Sequence, residues 1–185
     1  VNGIDLDLAA ISYAQRTYPA LSFTVADALT IDKIYPPSHF SFIYMFNSLY
    51  AFPDKLSLLT KLWAVAKPDC LLAIFDYTEK KALPTPLLRD LANKPLYPLH
   101  LKEMEQDLIK TGWEVLEVTD ITDQYIKWYT ELLKKLSSSF SLLGQEFTEQ
   151  DIAKTTKTFT LLLNSLVQGI LGGAILYARK QKTSC

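Results

Sequence analysis

Two short apolar segments, each closing on an acid, stand within the first 28 residues with a helix-length run between them: Val1-Asn2-Gly3-Ile4-Asp5-Leu6, then Phe23-Thr24-Val25-Ala26-Asp27-Ala28. Strand, helix, strand at this spacing is the crossover that parallel pairing requires, because a two-residue turn cannot return a chain to run parallel to itself. In an open parallel sheet ligands collect at the carboxyl ends of the strands, so Asp5 and Asp27 are expected on one edge of the sheet. A carboxylate placed there can accept from both hydroxyls of a ribose, and the pattern reads as half of a nucleoside site. It is only half, because no glycine-rich strand-to-helix turn precedes it.

Apolar and amphipathic runs alternate through the first two thirds of the chain, the sign of strand-helix-strand units and a mostly parallel sheet. Strands are predicted at Val1 to Leu6, Leu21 to Val25, Phe40 to Phe46, Cys70 to Asp76, Trp113 to Thr119 and Ala174 to Ala178. Asp7 is placed to cap a helix carrying Leu8, Ile11, Tyr13 and Ala14, and Asp54 one carrying Leu58, Leu59, Leu62, Trp63 and Ala66. Pro84, Pro86, Pro95 and Pro98 forbid one continuous helix between the fourth and fifth strands, and a helix resumes near Leu101. A later helix puts Tyr125, Trp128, Tyr129, Leu132, Leu133 and Leu136 on one stripe, and the serines Ser137 to Ser139 read as a turn. With 185 residues, 49% of them hydrophobic, the chain can close one sizeable core. The expectation is one α/β domain, with a helical substrate-side insertion at about 77–111 and helices over about 122–168.

A formal net charge of -1 gives no field to attract a polyanion, so the expected partner is a small molecule and not nucleic acid. Cys70 and Cys185 lie far apart with no paired spacing, which fits neither a disulfide framework nor a zinc site and suits a reducing cytoplasm. His39 and His100 are too isolated for a metal centre, and none is expected. The apolar stretch Phe159 to Ala178 has the length of a membrane span, but Gly169, Gly172 and Gly173 divide it into a buried helix and a buried strand.

Taken together, these pieces resemble the class I S-adenosylmethionine-dependent methyltransferases, in particular the small-molecule, amine-type branch. The resemblance rests on Gly3-Ile4-Asp5, Ala26-Asp27-Ala28, Phe40 to Phe52, Lys67-Pro68-Asp69-Cys70, Thr111-Gly112-Trp113-Glu114-Val115 and Gly173 to Lys180. It implies a Rossmann-like α/β fold, mostly parallel, whose last strand runs antiparallel. It implies S-adenosylmethionine as cofactor, with Asp5 on the ribose, Leu6 lining the adenine, Asp27 accepting from the adenine amine, Ala28 donating its amide to the ring, and Asn47 near the methyl group. The family's E/D-x-G-x-G-x-G loop and first strand are absent from these residues. That strand is central, so without it the sheet would expose two internal edges, and about fifty further residues are expected upstream of Val1 or a strand from another copy in a homo-oligomer. Pro68 followed by Asp69, where the family has K-P-G-G, still suits a type I turn.

On the acceptor side, Tyr50, Asp76 and Tyr77 follow strand ends, and Tyr125 and Tyr129 lie on the aromatic stripe. An amine is attracted to aromatic faces by roughly 0.5 to 2 kcal/mol per good contact. The same stripe also suits an ordinary buried helix face. His100 is a candidate general base. No dedicated catalytic triad is expected, since methyl transfer needs mainly near-attack geometry. Asn47-Ser48-Leu49-Tyr50 shares its outer residues with the N-P-P-Y loop of amino-directed nucleic-acid methyltransferases but has neither proline. Two alternatives stay open: a methyltransferase-like domain that binds without turnover, and a nicotinamide-dependent oxidoreductase. The final strand separates the latter, since an all-parallel sheet would favour hydride transfer.

Overall fold

The computed structural model describes residues 1–82, 96–138 and 147–181. Pro84, Pro86, Pro95, Ser139 and Cys185 lie outside them. The described elements are β1 (Asn2–Asp5), α1 (Leu8–Thr17), β2 (Ser22–Val25), α2 (Ile31–Ile34), β3 (Phe40–Phe46), α3 (Lys55–Val65), β4 (Ala66–Glu79), α4 (Leu101–Lys110), β5 (Trp113–Asp120), α5 (Thr122–Ser138), α6 (Glu149–Val167) and β6 (Leu171–Lys180). Each predicted strand is present.

Local chemistry sets many of the boundaries. The Asp7 carboxylate accepts from the amides of Ala9 at 2.7 Å and Ala10 at 3.1 Å to start α1, and Asp54 accepts from Ser57 at 2.9 Å to start α3. Helix α6 ends at Gly169, whose φ of +63° is a left-handed conformation open to glycine. The amides of Gly169 and Ile170 there reach back to the carbonyls of Leu166 and Ser165, a Schellman motif that separates helix from strand.

Three local readings are corrected. Leu8 and Tyr13 of α1 are exposed to solvent while Ile11 is buried: Tyr13, two positions on, lies about 200° around the helix from Ile11, and Leu8 is the first residue of the helix. Ser137 and Ser138 belong to α5, their hydroxyls donating to the carbonyls of Leu133 and Lys135 instead of opening a turn. Strand β4 begins at Ala66 and not Cys70: pairing with β3 jumps from Phe40↔Ala66 to Phe42↔Leu71, so Lys67 to Cys70 form a bulge, with Asp69 at φ +63°.

The strands form two sheets. β1 and β2 pair in parallel, and the second sheet runs β3-β4-β6-β5. β3 and β4 are parallel, whereas β6 is antiparallel to both β4 and β5 and is inserted between them. The reversed last strand removes the all-parallel arrangement on which the oxidoreductase alternative relied. β1 and β3 each have a single strand partner among the described residues. Phe42, Tyr44 and Phe46 of β3 stand 52%, 60% and 53% exposed.

One face of the larger sheet packs Leu72, Ile74, Leu176 and Ala178 against α3 and α4, with Leu58, Leu59, Leu62, Met104 and Leu108 in the core. Lys180 closes this face: its buried Nζ donates at 2.8 Å to the carbonyls of Trp63 and Ala66 and lies 3.7 Å from the Trp63 ring centroid. A second cluster joins Tyr77, Ile121, Tyr125, Tyr129, Leu162, Leu166 and Leu171 under α5 and α6. Among the described residues no helix is long and apolar enough to cross a membrane.

Candidate functional site

Parallel pairing brings the ends of β1, β2, β3 and β4 to the carboxyl edges of the two sheets, where the residues singled out above fall. At the β1 end the Asp5 Oδ1 accepts from the Asp7 amide at 2.9 Å, and among the described residues its Oδ2 has no partner. Leu6 is 63% exposed beside it. At the β2 end the Asp27 Oδ1 accepts from the Leu29 amide at 2.9 Å, opening a short 3-10 turn over Ala28–Thr30. Among the described residues its Oδ2 has no partner, and the Ala28 amide, first of that turn, meets no acceptor. This half of the site therefore offers two carboxylate oxygens, one N–H and an uncovered apolar side chain.

The end of β3 is shaped by the end of β4. Asp76 has no exposed surface. Its Oδ2 accepts from the amides of Ser48 at 3.1 Å, Leu49 at 2.7 Å and Tyr50 at 3.1 Å, and its Oδ1 from the Tyr77 amide at 2.7 Å. Burial pushes its pKa up to about 6, against the pull of those four N–H groups. The carboxylate is spent on the backbone, so Asp76 works as the anchor of the 48–50 loop and does not line the cavity beside it. Asn47 enters that loop at φ +46°, with its amide held at 2.8 Å by the Phe75 carbonyl and its Oδ1 accepting at 2.6 Å from the Tyr125 hydroxyl. A non-glycine residue held at positive φ is strained, and here two tertiary bonds hold it.

Aromatic side chains from four elements then enclose a cavity of about 270 Å³. Tyr50 packs edge-on to Tyr77 at 5.4 Å between centroids, and Tyr77 edge-on to Tyr125 at 5.4 Å. Trp128 packs on Tyr129 at 4.7 Å, and Tyr129 on Phe159 of α6 at 5.6 Å. The hydroxyls of Tyr77 and Tyr129 are hydrogen-bonded to each other. Burial raises the pKa of every one of Tyr50, Tyr77, Tyr125 and Tyr129, so these phenols stay protonated at neutral pH. Asn47, Tyr50, Tyr77 and Tyr129 line the cavity; Tyr125 stands behind it, positioning Tyr77 and Asn47. Gly173 on β6 makes room for that ring: a Cβ there would lie 2.8 Å from it.

Trp128, Phe159 and Leu162 also line the cavity. The helical stripe signalled Trp128, but no local pattern distinguishes Phe159 from any other apolar residue of α6. His100 precedes α4, with Nε2 3.6 Å from Glu79, and takes no part in the cavity. His39 lies between the Tyr35 and Phe40 rings. Among the described residues no group of three or more His, Cys, Asp or Glu is arranged to hold a metal ion.

No protein-family model and no curated protein sequence matches the chain. Solved structures do. Phosphoethanolamine N-methyltransferase 2 of Haemonchus contortus, in complex with phosphomonomethylethanolamine and S-adenosylhomocysteine, superposes with a TM-score of 0.85 at 18% identity, over 98% of this chain and 43% of that one. The cyclopropane synthase MmaA2 of Mycobacterium tuberculosis gives 0.82 at 14% identity, over 97% and 70%. The [4+2]-cyclase SpnF gives 0.72 at 17% identity, over 98% and 66%. The chain thus has the Rossmann-like fold of the class I S-adenosylmethionine-dependent methyltransferases and spans less than half the length of the first of these proteins.

Proposed function

We propose that this chain forms part of an S-adenosylmethionine-dependent methyltransferase acting on a small-molecule acceptor, an amine ahead of a hydroxyl or carbon nucleophile. The observation that carries this reading is the pair of strand-end carboxylates, each keeping one oxygen open, beside an uncovered Leu6 and an unpaired Ala28 amide. That donor and acceptor set fits a nucleoside. Asp5 would take the ribose hydroxyls, Leu6 would cover one adenine face, and Asp27 with the Ala28 amide would read the adenine edge. Asn47, between these acids and the aromatic cavity in chain and sheet order, would stand where donor and acceptor meet.

When bound, S-adenosylmethionine supplies a sulfonium-activated methyl group, transferred as the acceptor lone pair bonds to carbon and the carbon–sulfur pair returns to sulfur. The chain's own contribution is positional. Asp76 holds the 48–50 loop, the Tyr125 hydroxyl orients the Asn47 amide, and the ring cluster keeps water from the acceptor. Placing two reactants in near-attack geometry can supply about 7 to 11 kcal/mol of the barrier, which is why a site without a base suffices. A proton lost from an acceptor nitrogen goes to solvent.

Calorimetric titration of the chain with S-adenosylhomocysteine tests the reading. Charge-assisted hydrogen bonds contribute about 1.5 to 3 kcal/mol each, so Asp5→Asn and Asp27→Asn should each weaken binding roughly ten- to a hundredfold. Absence of binding, or affinity unchanged in both variants, would overturn it. Binding without methyl release from the labelled donor would instead favour a binding domain, a use that folds of this kind also serve.

A further inference from the structure

The aromatic cavity has walls of one kind. The rings of Tyr50, Tyr77, Trp128, Tyr129 and Phe159 are joined by aliphatic side chains and by Asn47 and Thr158, and among the described residues no Lys, Arg, His, Asp or Glu lines it. The lysines placed to reach towards it are engaged elsewhere: Lys55 donates to the Phe52 carbonyl at 3.1 Å, Lys80 pairs with Asp120, and Lys81 donates to the Gln168 carbonyl at 3.4 Å. The nearest buried charge is negative. After burial, the Asp76 carboxylate is among the causes that raise Tyr50, Tyr125 and Tyr129, so its field reaches the ring cluster although its oxygens are bonded to the backbone.

The polar groups left open are few. Asn47 has its Oδ1 taken by Tyr125, which leaves Nδ2 as its free donor. Tyr77 and Tyr129 bond each other, and the Thr158 hydroxyl donates to Lys154 at 3.0 Å. An anionic group brought into this space would lose its water and meet, among the described residues, neither a cation nor an array of N–H groups. A cation would meet ring faces and a negative field.

We propose that the acceptor of this site is an amine on an aromatic or aliphatic body, carrying no phosphate or carboxylate, that binds as its cation against the rings of Tyr50 and Tyr77 with the body against Trp128 and Phe159, and attacks as the neutral amine once a proton has left to solvent. The proposal rests on the methyltransferase reading and sharpens it. It also sets this chain apart from the Haemonchus protein, whose bound phosphomonomethylethanolamine carries a phosphate. The cavity volume of about 270 Å³ equals roughly nine volumes of liquid water at about 30 Å³ each, room for a phenethylamine-sized molecule.

The probes are phenethylamine, 2-phenylethanol, phenylalanine and phosphoethanolamine, titrated into the full chain without methyl donor and read by saturation-transfer NMR. Phenethylamine should bind, the neutral alcohol should bind roughly three- to thirtyfold more weakly for want of the cation–ring attraction, and the two anion-bearing probes at least tenfold more weakly than the amine. Trp128→Leu, at a rim residue 45% exposed, and Tyr50→Leu should each erase most of the preference of amine over alcohol; a thermal melt confirms that the variants fold, and the rim variant alone is decisive if the other does not. Phenylalanine or phosphoethanolamine binding as tightly as phenethylamine, or no binding by phenethylamine, would overturn the proposal. Calorimetry with S-adenosylhomocysteine reports separately on the methyltransferase reading: homocysteine-nucleoside binding without amine binding sinks the acceptor assignment alone, and amine binding without nucleoside binding sinks the reading beneath it.

Discussion

Replacing Asp76 by Asn changes a single atom type at the most buried charge of the described fold, and its effect on stability depends on pH in a calculable way. In the folded chain the carboxyl has a pKa of about 6 instead of 3.8, burial being the largest cause. The raised value means that the native state binds the proton more tightly than the unfolded chain does. Stability from this group is therefore fully present below pH 3.8 and lost as pH rises through about 6. About two units correspond to roughly 3 kcal/mol over the whole window, at about 1.4 kcal/mol per unit. Between pH 4.5 and 7.5 the accessible part is about 2 kcal/mol.

An Asn at this position keeps one oxygen for the amides of Ser48, Leu49 and Tyr50 but turns an NH₂ towards the Tyr77 amide, a donor against a donor worth about 1 to 3 kcal/mol of destabilisation at any pH. Urea unfolding of both chains at four pH values isolates the titrating part, because Asp32, Asp120 and Asp151, whose pKa values are lowered by their partners, contribute equally to each. The difference in unfolding free energy, native minus variant, should grow by about 2 kcal/mol from pH 7.5 to pH 4.5, with most of the change below pH 6. Parallel curves would refute the buried-charge argument. A difference that shrinks on acidification would mean that the four N–H groups outweigh desolvation.

Three further outcomes are expected. Lys180→Met removes two hydrogen bonds from a buried ammonium and its seat over Trp63, and should lower stability by about 2 to 4 kcal/mol in urea unfolding. Gly173→Ala places a Cβ 2.8 Å from the Tyr125 ring; overpacking should lower stability by about 1 to 3 kcal/mol and shift the Tyr125 ring signals in NMR spectra, whereas a silent substitution would show that the ring has room to move. Tyr125→Phe deletes the hydroxyl that orients Asn47; a stability loss of about 1 kcal/mol with a larger fall in kcat than rise in KM is the signature of positioning, and an effect on KM alone would count against it.

How far the site was legible in the sequence can be argued residue by residue. Asp5 and Asp27 were found because a strand followed by an acid is a local pattern, and the chain folds them to the strand ends where that pattern puts them. Tyr50 follows the end of β3 as that rule expects, whereas Tyr77 lies inside β4, paired with Gly173; both line the cavity. Asp76 departs from the rule in position and in role: β4 runs on to Glu79, so Asp76 is paired with Ala174 inside the strand, and a local rule does not say which amides surround a side chain. Tyr125, Trp128 and Tyr129 share a helical stripe. That stripe could not say that Trp128 and Tyr129 line the cavity while Tyr125 stands behind them bonded to a residue 78 positions away.

The amino-acid order by itself determined where the strands and helices lie, since apolar period, aspartate caps at Asp7 and Asp54 and the glycine break at Gly169 all act within a few residues. Only the tertiary structure decided which faces meet: that β6 runs back between β4 and β5, that four amides converge on Asp76, and that rings from a loop, a strand and two helices close one cavity. The physical reason is range. Propensity and capping are settled between near neighbours, whereas desolvation and ring packing depend on side chains brought together from distant parts of the chain, and no local spacing records them.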